Sequence, residues 1–178
     1  MCKKLLIIVD MLNDFIDENG ALYCGETAGA IVPFVKSRLE TFRKVDDPVV
    51  YLTDAHDEND LEFEKFPRHC VAGTWGSQII DELTPRANET IVLKKRYSGF
   101  FGTGLESILE QADPNEVEVV GVCTSICVMD TVGGLANRDY TIKVPVRGVA
   151  DFDQDFHGFA LKRMAQLYGA QIIEDIQI

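Results

Sequence analysis

The chain alternates between short apolar runs and longer stretches in which apolar residues recur every three or four positions. The first run, residues 5–9, is continuously apolar, which is typical of a strand buried on both faces. Together the runs predict strands at residues 5–9, 48–53, 90–93, 117–120, 140–146 and 171–173. Helical spacing predicts helices at residues 27–45, 105–111, 124–137 and 155–168, with a short amphipathic stretch at 76–83.

Strands that alternate with helices predict an α/β fold with a Rossmann-like, mainly parallel six-stranded sheet flanked by helices. The length of 178 residues suits one domain with a sizeable core. Since no repeat or low-complexity linker divides the chain, we expect residues 1–178 to form a single domain.

Composition excludes several kinds of partner. A net charge of -12 argues against binding to nucleic acid or to an anionic membrane surface. No apolar stretch approaches the roughly 20 residues that a membrane span needs. Five cysteines, without a C-x-x-C pair, are typical of reduced thiols, and Asp10 ends the N-terminal apolar run too early for a signal peptide. We therefore expect a cytoplasmic protein.

Cys127 follows the fourth predicted strand, close to the start of a predicted helix. Backbone N–H groups and the helix dipole at such a position lower the pKa of a thiol, and the thiolate is the nucleophilic form. Taken alone, Cys127 fits a buried structural thiol better, because that is the commonest role of a free cysteine.

Polar residues at the carboxyl ends of other strands favour the nucleophile, since ligands of parallel sheets bind at that edge. Asp10, Asp54 and Lys94 end three runs there, although each alone could be a cap or a solvated charge. Lys94 would stabilise a Cys127 thiolate, and Asp10 would take the thiol proton and return it to a leaving amine. The N–H groups of Cys123 and Cys127 could bind the oxyanion. The sequence therefore predicts hydrolysis through a thioester.

The loop after the second predicted strand carries a possible metal site. Asp54, His56 and His69 supply a carboxylate and two imidazoles, which suit zinc, iron or manganese. A fourth ligand could come from the acids between them, namely Asp57, Glu58, Asp60, Glu62 and Glu64. The spacing is not a tight zinc signature, so a polar loop without an ion remains the alternative.

Three segments resemble the motifs of the isochorismatase-like cysteine hydrolases. They are IVDMLNDF (residues 8–15), KKRYSGF (94–100) and GVCTSICV (121–128), in the order that the family has. The resemblance covers almost the whole chain. Within the family, DAH (54–56), FPRHC (66–70) and GTWG (73–76) resemble the nicotinamidase branch.

The resemblance implies a catalytic triad of Asp10, Lys94 and Cys127. It also implies a cis peptide between Val122 and Cys123, which makes the Cys123 N–H part of the oxyanion hole together with that of Cys127. The family commonly forms dimers or tetramers, so the resemblance further implies a homo-oligomer.

The resemblance implies one divalent metal ion as well, Zn²⁺ in the first place, with Fe²⁺ and Mn²⁺ as alternatives. Asp54, His56 and His69 would be ligands. Counting back from His69 points to Glu62 as the fourth ligand, with Glu64 as the alternative.

By the same resemblance, the ion holds the pyridine nitrogen of nicotinamide and directs its carboxamide towards the thiol. Phe15, Phe66 and Tyr97 match aromatic positions that line the ring, an arrangement that offset stacking favours. Ordinary core packing competes with this role, most of all for Phe15 and Tyr97.

The sequence thus predicts a nicotinamidase of NAD salvage, which converts nicotinamide and water to nicotinate and ammonia, with pyrazinamide as another substrate. One alternative is a family cysteine hydrolase acting on another small amide or ureide, such as a carbamoyl compound. Another is a catalytically idle member that only binds. The three triad residues together argue against the idle alternative.

Overall fold

The computed structural model describes residues 3–174. The strands are β1 (Lys4–Val9), β2 (Val49–Asp54), β3 (Thr90–Lys94), β4 (Glu116–Val122), β5 (Ile142–Pro145), β6 (Val149–Ala150) and β7 (Gln171–Ile173). The α-helices are α1 (Asn13–Ile16), α2 (Glu26–Ala30), α3 (Val32–Lys44), α4 (Leu105–Ala112), α5 (Met129–Ala136) and α6 (Gln154–Leu167). None of these helices is both long and apolar enough to cross a membrane.

The strands form one parallel sheet in the order β3-β2-β1-β4-β5-β7, and β6 pairs with the end of β4 beyond the β5 pairing. A mainly parallel sheet flanked by helices is confirmed. The predicted number of six strands is wrong, because the described residues form seven. The additional strand, β6, has only two residues and is too short to produce a recognisable period in the sequence.

Helices cover both faces of the sheet, and β1 is buried between two apolar clusters. Leu6 and Ile8 belong to the cluster that contains the buried side of α3. Leu5, Ile7 and Val9 belong to the cluster that contains buried residues of α4, α5 and α6. Successive side chains of a strand point to opposite faces, so a continuous apolar run serves both cores.

Two predicted helices have a different form. The helix predicted at 27–45 is divided into α2 and α3 at Ile31, and Pro33 lies in the first turn of α3, where proline is well tolerated. The helix predicted at 124–137 begins as a π-helical turn, Thr124–Val128, before α5. Residues 76–83 hold parts of two short 3₁₀ turns, Trp75–Ser77 and Asp81–Leu83.

The sheet topology creates a crevice between β1 and β4. After β1 the chain adds β2 and β3 on one side and then returns to place β4 on the other. A ligand site is expected at such a reversal of strand order, outside the carboxyl ends. Gly121 has φ 121°, and a Cβ there would collide with the carbonyl oxygen of Val9. Glycine therefore lets the end of β4 approach β1, beside Asp10.

Candidate active site

Lys94 lies at the centre of a buried group of charges. Its Nζ is 2.7 Å from Asp10 Oδ2, 2.5 Å from Asp54 Oδ1 and 3.4 Å from Cys127 Sγ. The register of β2 and β3 pairs Asp54 directly with Lys94, while Asp10 follows β1. The four side chains that the sequence assigned to this sheet edge are therefore brought together.

Asp10 is held in an unusual backbone conformation. Its φ of 51° lies in the left-handed region, which few residues other than glycine adopt and where aspartate is enriched. Its Oδ1 accepts the Asp54 N–H at 2.9 Å. The carboxylate is thus fixed between the backbone of β2 and the Lys94 ammonium.

Burial controls the protonation of this group. Burial, and next the neighbouring Asp54, raise the pKa of Asp10 to about 7. Burial lowers the pKa of Lys94, but the Asp10 and Asp54 carboxylates outweigh it and raise that pKa, so the ammonium stays charged. Burial raises the pKa of Cys127 well above its ordinary value despite the opposing effect of Lys94. The expected lowering of the Cys127 pKa is therefore wrong: the resting group is a thiol near a carboxyl suited to proton transfer at neutral pH.

Cys127 lies in a tight turn, residues 123–128, which we call the cysteine turn. The peptide between Val122 and Cys123 is cis, which confirms the expectation from the family resemblance. The N–H groups of Ile126 and Val128 both donate to the Cys123 carbonyl oxygen, at 3.1 and 3.2 Å. Within residues 3–174, no atom accepts a hydrogen bond from the Cys123 N–H, which leaves this donor available.

Two side chains outside the predicted site anchor the cysteine turn. Asp151, fully buried after β6, accepts the Ser125 N–H at 2.7 Å. His157 of α6 lies with Nδ1 2.9 Å from Thr124 Oγ1. The local sequence gives no signal of the contact between Asp151 and residue 125, because it depends on the position of β6.

A second cluster adjoins the charged group. One ligand atom each of Asp54, His56 and His69 lies within 4.8 Å of the others, and all three residues are buried. His69 Nδ1 is 2.7 Å from the Pro67 carbonyl oxygen, so it donates its proton there and leaves Nε2 as the free lone pair. The three residues predicted as metal ligands therefore meet in space.

Glu62 and Glu64 differ in burial, which distinguishes them as candidates for the fourth ligand. Glu62 is buried, and its Oε1 lies 4.0 Å from His56 Nε2, whereas Glu64 is exposed. In the described part of the chain, His56 Nε2 and Glu62 Oε2 are buried without a hydrogen-bond partner. Buried polar atoms are rarely left unpaired, and a divalent ion would satisfy both. The residues fit a metal ion, with Glu62 rather than Glu64 beside it.

Members of both clusters line one cavity. Phe15, Phe66 and Tyr97 line it, as do Asp10, Cys123 and Cys127. Phe152, which sequence reasoning missed, is a further aromatic wall and is 50% exposed. An aromatic residue in the polar segment after Asp151 gives no signal of this contact in the sequence.

Asp14 connects two walls of the cavity. Its Oδ1 accepts the Ala21 N–H at 2.9 Å, and its Oδ2 accepts the Cys70 N–H at 2.7 Å. Asp14 precedes Phe15, and Cys70 follows His69. One carboxylate therefore joins the helix α1 region to the loop that carries the histidines.

Residues 4–176 match the family model described as the isochorismatase domain. This chain belongs to the isochorismatase family. Nicotinamidase/pyrazinamidase PncA from Bacillus subtilis is 37% identical, with a TM-score of 0.91, and the match covers 97% of this chain and 100% of that one.

Two further solved structures are similar over nearly the full length of both chains. N-carbamoylsarcosine amidase from Thermoplasma acidophilum is 34% identical, with a TM-score of 0.88 and coverage of 99% and 98%. Pyrazinamidase of Pyrococcus horikoshii, in complex with zinc, is 28% identical, with a TM-score of 0.90 and coverage of 97% and 99%. These similar structures thus include hydrolases of aromatic amides and of a carbamoyl compound.

Proposed function

We propose that this protein is a nicotinamidase that hydrolyses nicotinamide to nicotinate and ammonia. One observation carries the proposal: Asp10 and Cys127 of the charged group and Asp54 and His69 of the second cluster line the same aromatic-lined cavity. Similarity to a nicotinamidase/pyrazinamidase supports the same assignment.

The first half of the reaction forms a thioester. Cys127 Sγ attacks the carboxamide carbon while Asp10 takes the thiol proton, so the sulfur gains nucleophilicity as it loses its proton. Lys94, 3.4 Å from the sulfur, stabilises the negative charge that develops there. The N–H groups of Cys123 and Cys127 receive the oxyanion of the tetrahedral intermediate.

The second half releases the products. Asp10 returns the proton to the amide nitrogen, the C–N bond breaks and ammonia leaves. Water then loses a proton to Asp10 and attacks the thioester carbon. As the C–S bond breaks, Asp10 returns that proton to the sulfur and restores the thiol, and the nicotinic acid formed loses its proton to solvent to give nicotinate. A pKa of about 7 allows Asp10 to act first as base and then as acid.

The proposal includes one divalent ion held by Asp54, His56, His69 and Glu62, with zinc favoured and iron or manganese as alternatives. When bound, the ion would act as a Lewis acid that takes the ring nitrogen of nicotinamide. Phe15, Phe66 and Tyr97 would contact the ring faces and edges. Zinc bound to a related pyrazinamidase supports this choice of metal.

The biological setting is part of the same proposal. Nicotinamide hydrolysis recovers the pyridine ring for NAD salvage, a cytoplasmic process. Four buried cysteines of the described chain, Cys24, Cys70, Cys123 and Cys127, are free thiols, which suits a reducing compartment.

An ammonia-release assay over a panel of amides tests the proposal. With zinc-loaded protein, nicotinamide and pyrazinamide should be hydrolysed with kcat/KM at least ten times that for benzamide, which lacks the ring nitrogen. Equal kcat/KM values for all three amides would show that the ring nitrogen is not recognised. No ammonia from any of them would overturn the proposed activity.

A carbamoyl hydrolase is the second candidate, favoured by the 34% identity to N-carbamoylsarcosine amidase. The panel therefore includes N-carbamoylsarcosine. Preference for this substrate over nicotinamide would replace the first proposal by the second. The cluster of Asp54, His56 and His69 argues for the aromatic amide. An ion held there would bind a ring nitrogen, which nicotinamide has and N-carbamoylsarcosine lacks.

A further inference from the structure

Asp60 has contacts that the proposed reaction does not use. Its Oδ2 lies 3.2 Å from His56 Nδ1, and its Oδ1 accepts the Glu62 N–H at 2.9 Å. Both carboxylate oxygens lie 3.0 Å from Arg96 Nη1. The side chain is only 4% exposed, so one enclosed carboxylate touches His56, the backbone of Glu62 and the segment after β3.

These contacts determine which nitrogen of His56 carries the proton. An ionised carboxylate only accepts hydrogen bonds, so its contact with Nδ1 requires a proton on Nδ1. In neutral His56, Nε2 is then the free lone pair, the form that binds a metal ion. Nε2 is also the buried atom without a partner, 3.6 Å from Asp54 Oδ2. The ring thus presents its metal-binding atom to the cluster.

The same carboxylate positions a second proposed ligand. Glu62 belongs to the 3₁₀ turn Leu61–Glu64, and Asp60 is the residue that caps the turn through the Glu62 N–H. Arg96 restrains Asp60 from the other side, and it stands two residues after Lys94. The end of β3 therefore supports both the charged group and the loop that holds the proposed ligands.

We propose that Asp60 is a positioning residue that fixes His56 in its Nδ1–H tautomer and holds the turn carrying Glu62, with Arg96 as its anchor. The metal part rests on the proposed function, whereas the tautomer is a property of the metal-free protein. Carboxylates in this relation to a ligand histidine orient the ring and increase its basicity, and losing one costs about 10–100-fold in metal affinity.

The neighbouring pair of Asp57 and Lys95 provides a matched control. Lys95 Nζ lies 2.6 Å from Asp57 Oδ2, so it joins the same loop to the same strand end. The side chains of Asp57 and Lys95 are 71% and 54% exposed, and among residues 3–174 Asp57 makes no side-chain hydrogen bond or ion pair with a proposed ligand. Asp57→Asn therefore removes the same charge from the same loop without removing a hydrogen bond of His56.

The decisive variant is Asp60→Asn. Its amide has nearly the shape of the carboxylate but can donate to His56 Nδ1, which favours the Nε2–H tautomer. Zinc affinity, measured by competition with a chromophoric chelator, should fall about 10–100-fold. Asp57→Asn should bind zinc within about twofold of the wild type, because an exposed pair contributes little.

Nitrogen-15 NMR of histidine-labelled, metal-free protein reads the tautomer directly. The chain has three histidines, and His56→Ala identifies the His56 signals. At mildly alkaline pH we expect a proton on Nδ1 of His56 in the wild type and in Asp57→Asn. In Asp60→Asn we expect the proton on Nε2.

A proton on Nε2 in wild-type His56 would overturn the inference, as would unchanged zinc affinity in Asp60→Asn or an equal loss in Asp57→Asn. If Asp60→Asn fails to fold by circular dichroism, Arg96→Gln replaces it with Lys95→Gln as control. Arg96→Gln should lose more zinc affinity than Lys95→Gln, and equal affinities would contradict the anchor. If the tautomer and zinc-affinity results are as expected but nicotinamide is not hydrolysed, the proposed function is wrong and the role of Asp60 stands.

Discussion

Two groups of enclosed charges stand at opposite ends of the sheet. At the end where β2 and β3 begin, Arg43 donates from Nε and Nη2 to the two oxygens of Glu89, at 2.7 and 2.8 Å. The Tyr51 hydroxyl and the Arg86 N–H complete the contacts of Glu89, at 3.2 and 2.7 Å. At the other end, the single ammonium of Lys94 is shared by Asp10 and Asp54.

The pKa values of Glu89 and Asp10 are shifted in opposite directions. Burial opposes ionisation of Glu89, but the hydrogen bonds from Arg43 and Arg86 outweigh it and hold the pKa of Glu89 below its ordinary value. Burial, and next the neighbouring Asp54, raise the pKa of Asp10 to about 7, and the ammonium of Lys94, which Asp10 shares with Asp54, does not offset them. A carboxylate with enough hydrogen-bond donors and cations around it keeps its charge and stabilises the fold. A carboxylate short of partners exchanges its proton easily, which a catalytic base requires.

The largest expected effect is at the thiol. Cys127→Ala should lower ammonia release by at least about 10³-fold, since no other group can form the thioester. The free energy of unfolding should change little beyond the loss of one small buried side chain. Residual activity near the wild-type rate, in protein shown to be folded, would remove Cys127 from the mechanism.

Asp10→Asn should lower kcat by about 10²–10⁴-fold, because the amide cannot take the thiol proton. Stability should be kept. A carboxyl whose pKa is raised by folding loses stability as pH rises from its ordinary pKa of 3.8 to about 7, so the full cost is present at mildly alkaline pH, and the amide removes it. Urea unfolding at mildly alkaline pH measures the effect. If Asp10→Asn lost as much stability as Glu89→Gln, the two ends of the sheet would not differ in the way proposed.

Glu89→Gln should have the opposite profile. Removing one charge from the enclosed Arg43–Glu89 pair should cost about 3 kcal/mol in the free energy of unfolding, while activity stays within about twofold. The control is Glu40→Gln, which removes another partner of Arg43 that is 41% exposed and should cost less than about 1 kcal/mol. Greatly reduced activity in folded Glu89→Gln would show that the two ends are not separate.

The smallest effect concerns the cavity wall. Phe152→Ala should lower kcat/KM for nicotinamide about two- to tenfold, corresponding to about 0.5–1.5 kcal/mol of aromatic contact, mainly through KM. Phe101→Ala, an exposed phenylalanine that does not line the cavity, is the control. Equal KM values for the two variants would remove Phe152 from substrate recognition.

The sequence predicted most of the fold and the polar residues at the strand ends. Continuous apolar runs mark strands buried on both faces, and the residue after each run must lie at the edge where parallel strands end. Asp10, Lys94 and Cys127 were found in this way. The same reasoning missed β6 and the π-helical turn, because two residues have no period and a π turn leaves the helical spacing almost unchanged.

The roles of the acids in the metal loop could not be separated from sequence. Asp57, Asp60, Glu62 and Glu64 stand within eight residues and are chemically alike. Only tertiary contacts distinguish them: Glu62 is buried beside His56, Asp60 is held by Arg96, and Asp57 and Glu64 are exposed. The pKa of Cys127 was mispredicted for a similar reason, since the extent of its burial cannot be read from local sequence.

The two hydrogen bonds that Asp14 accepts have a consequence for local unfolding. Ala21 and Cys70 are 49 residues apart in sequence, yet both amides end on one carboxylate. The segment with Phe15 and the segment with His69 therefore cannot open independently without leaving an acceptor unpaired. Amide hydrogen exchange should find them in one cooperative unit, so that the cavity assembles or comes apart as a whole.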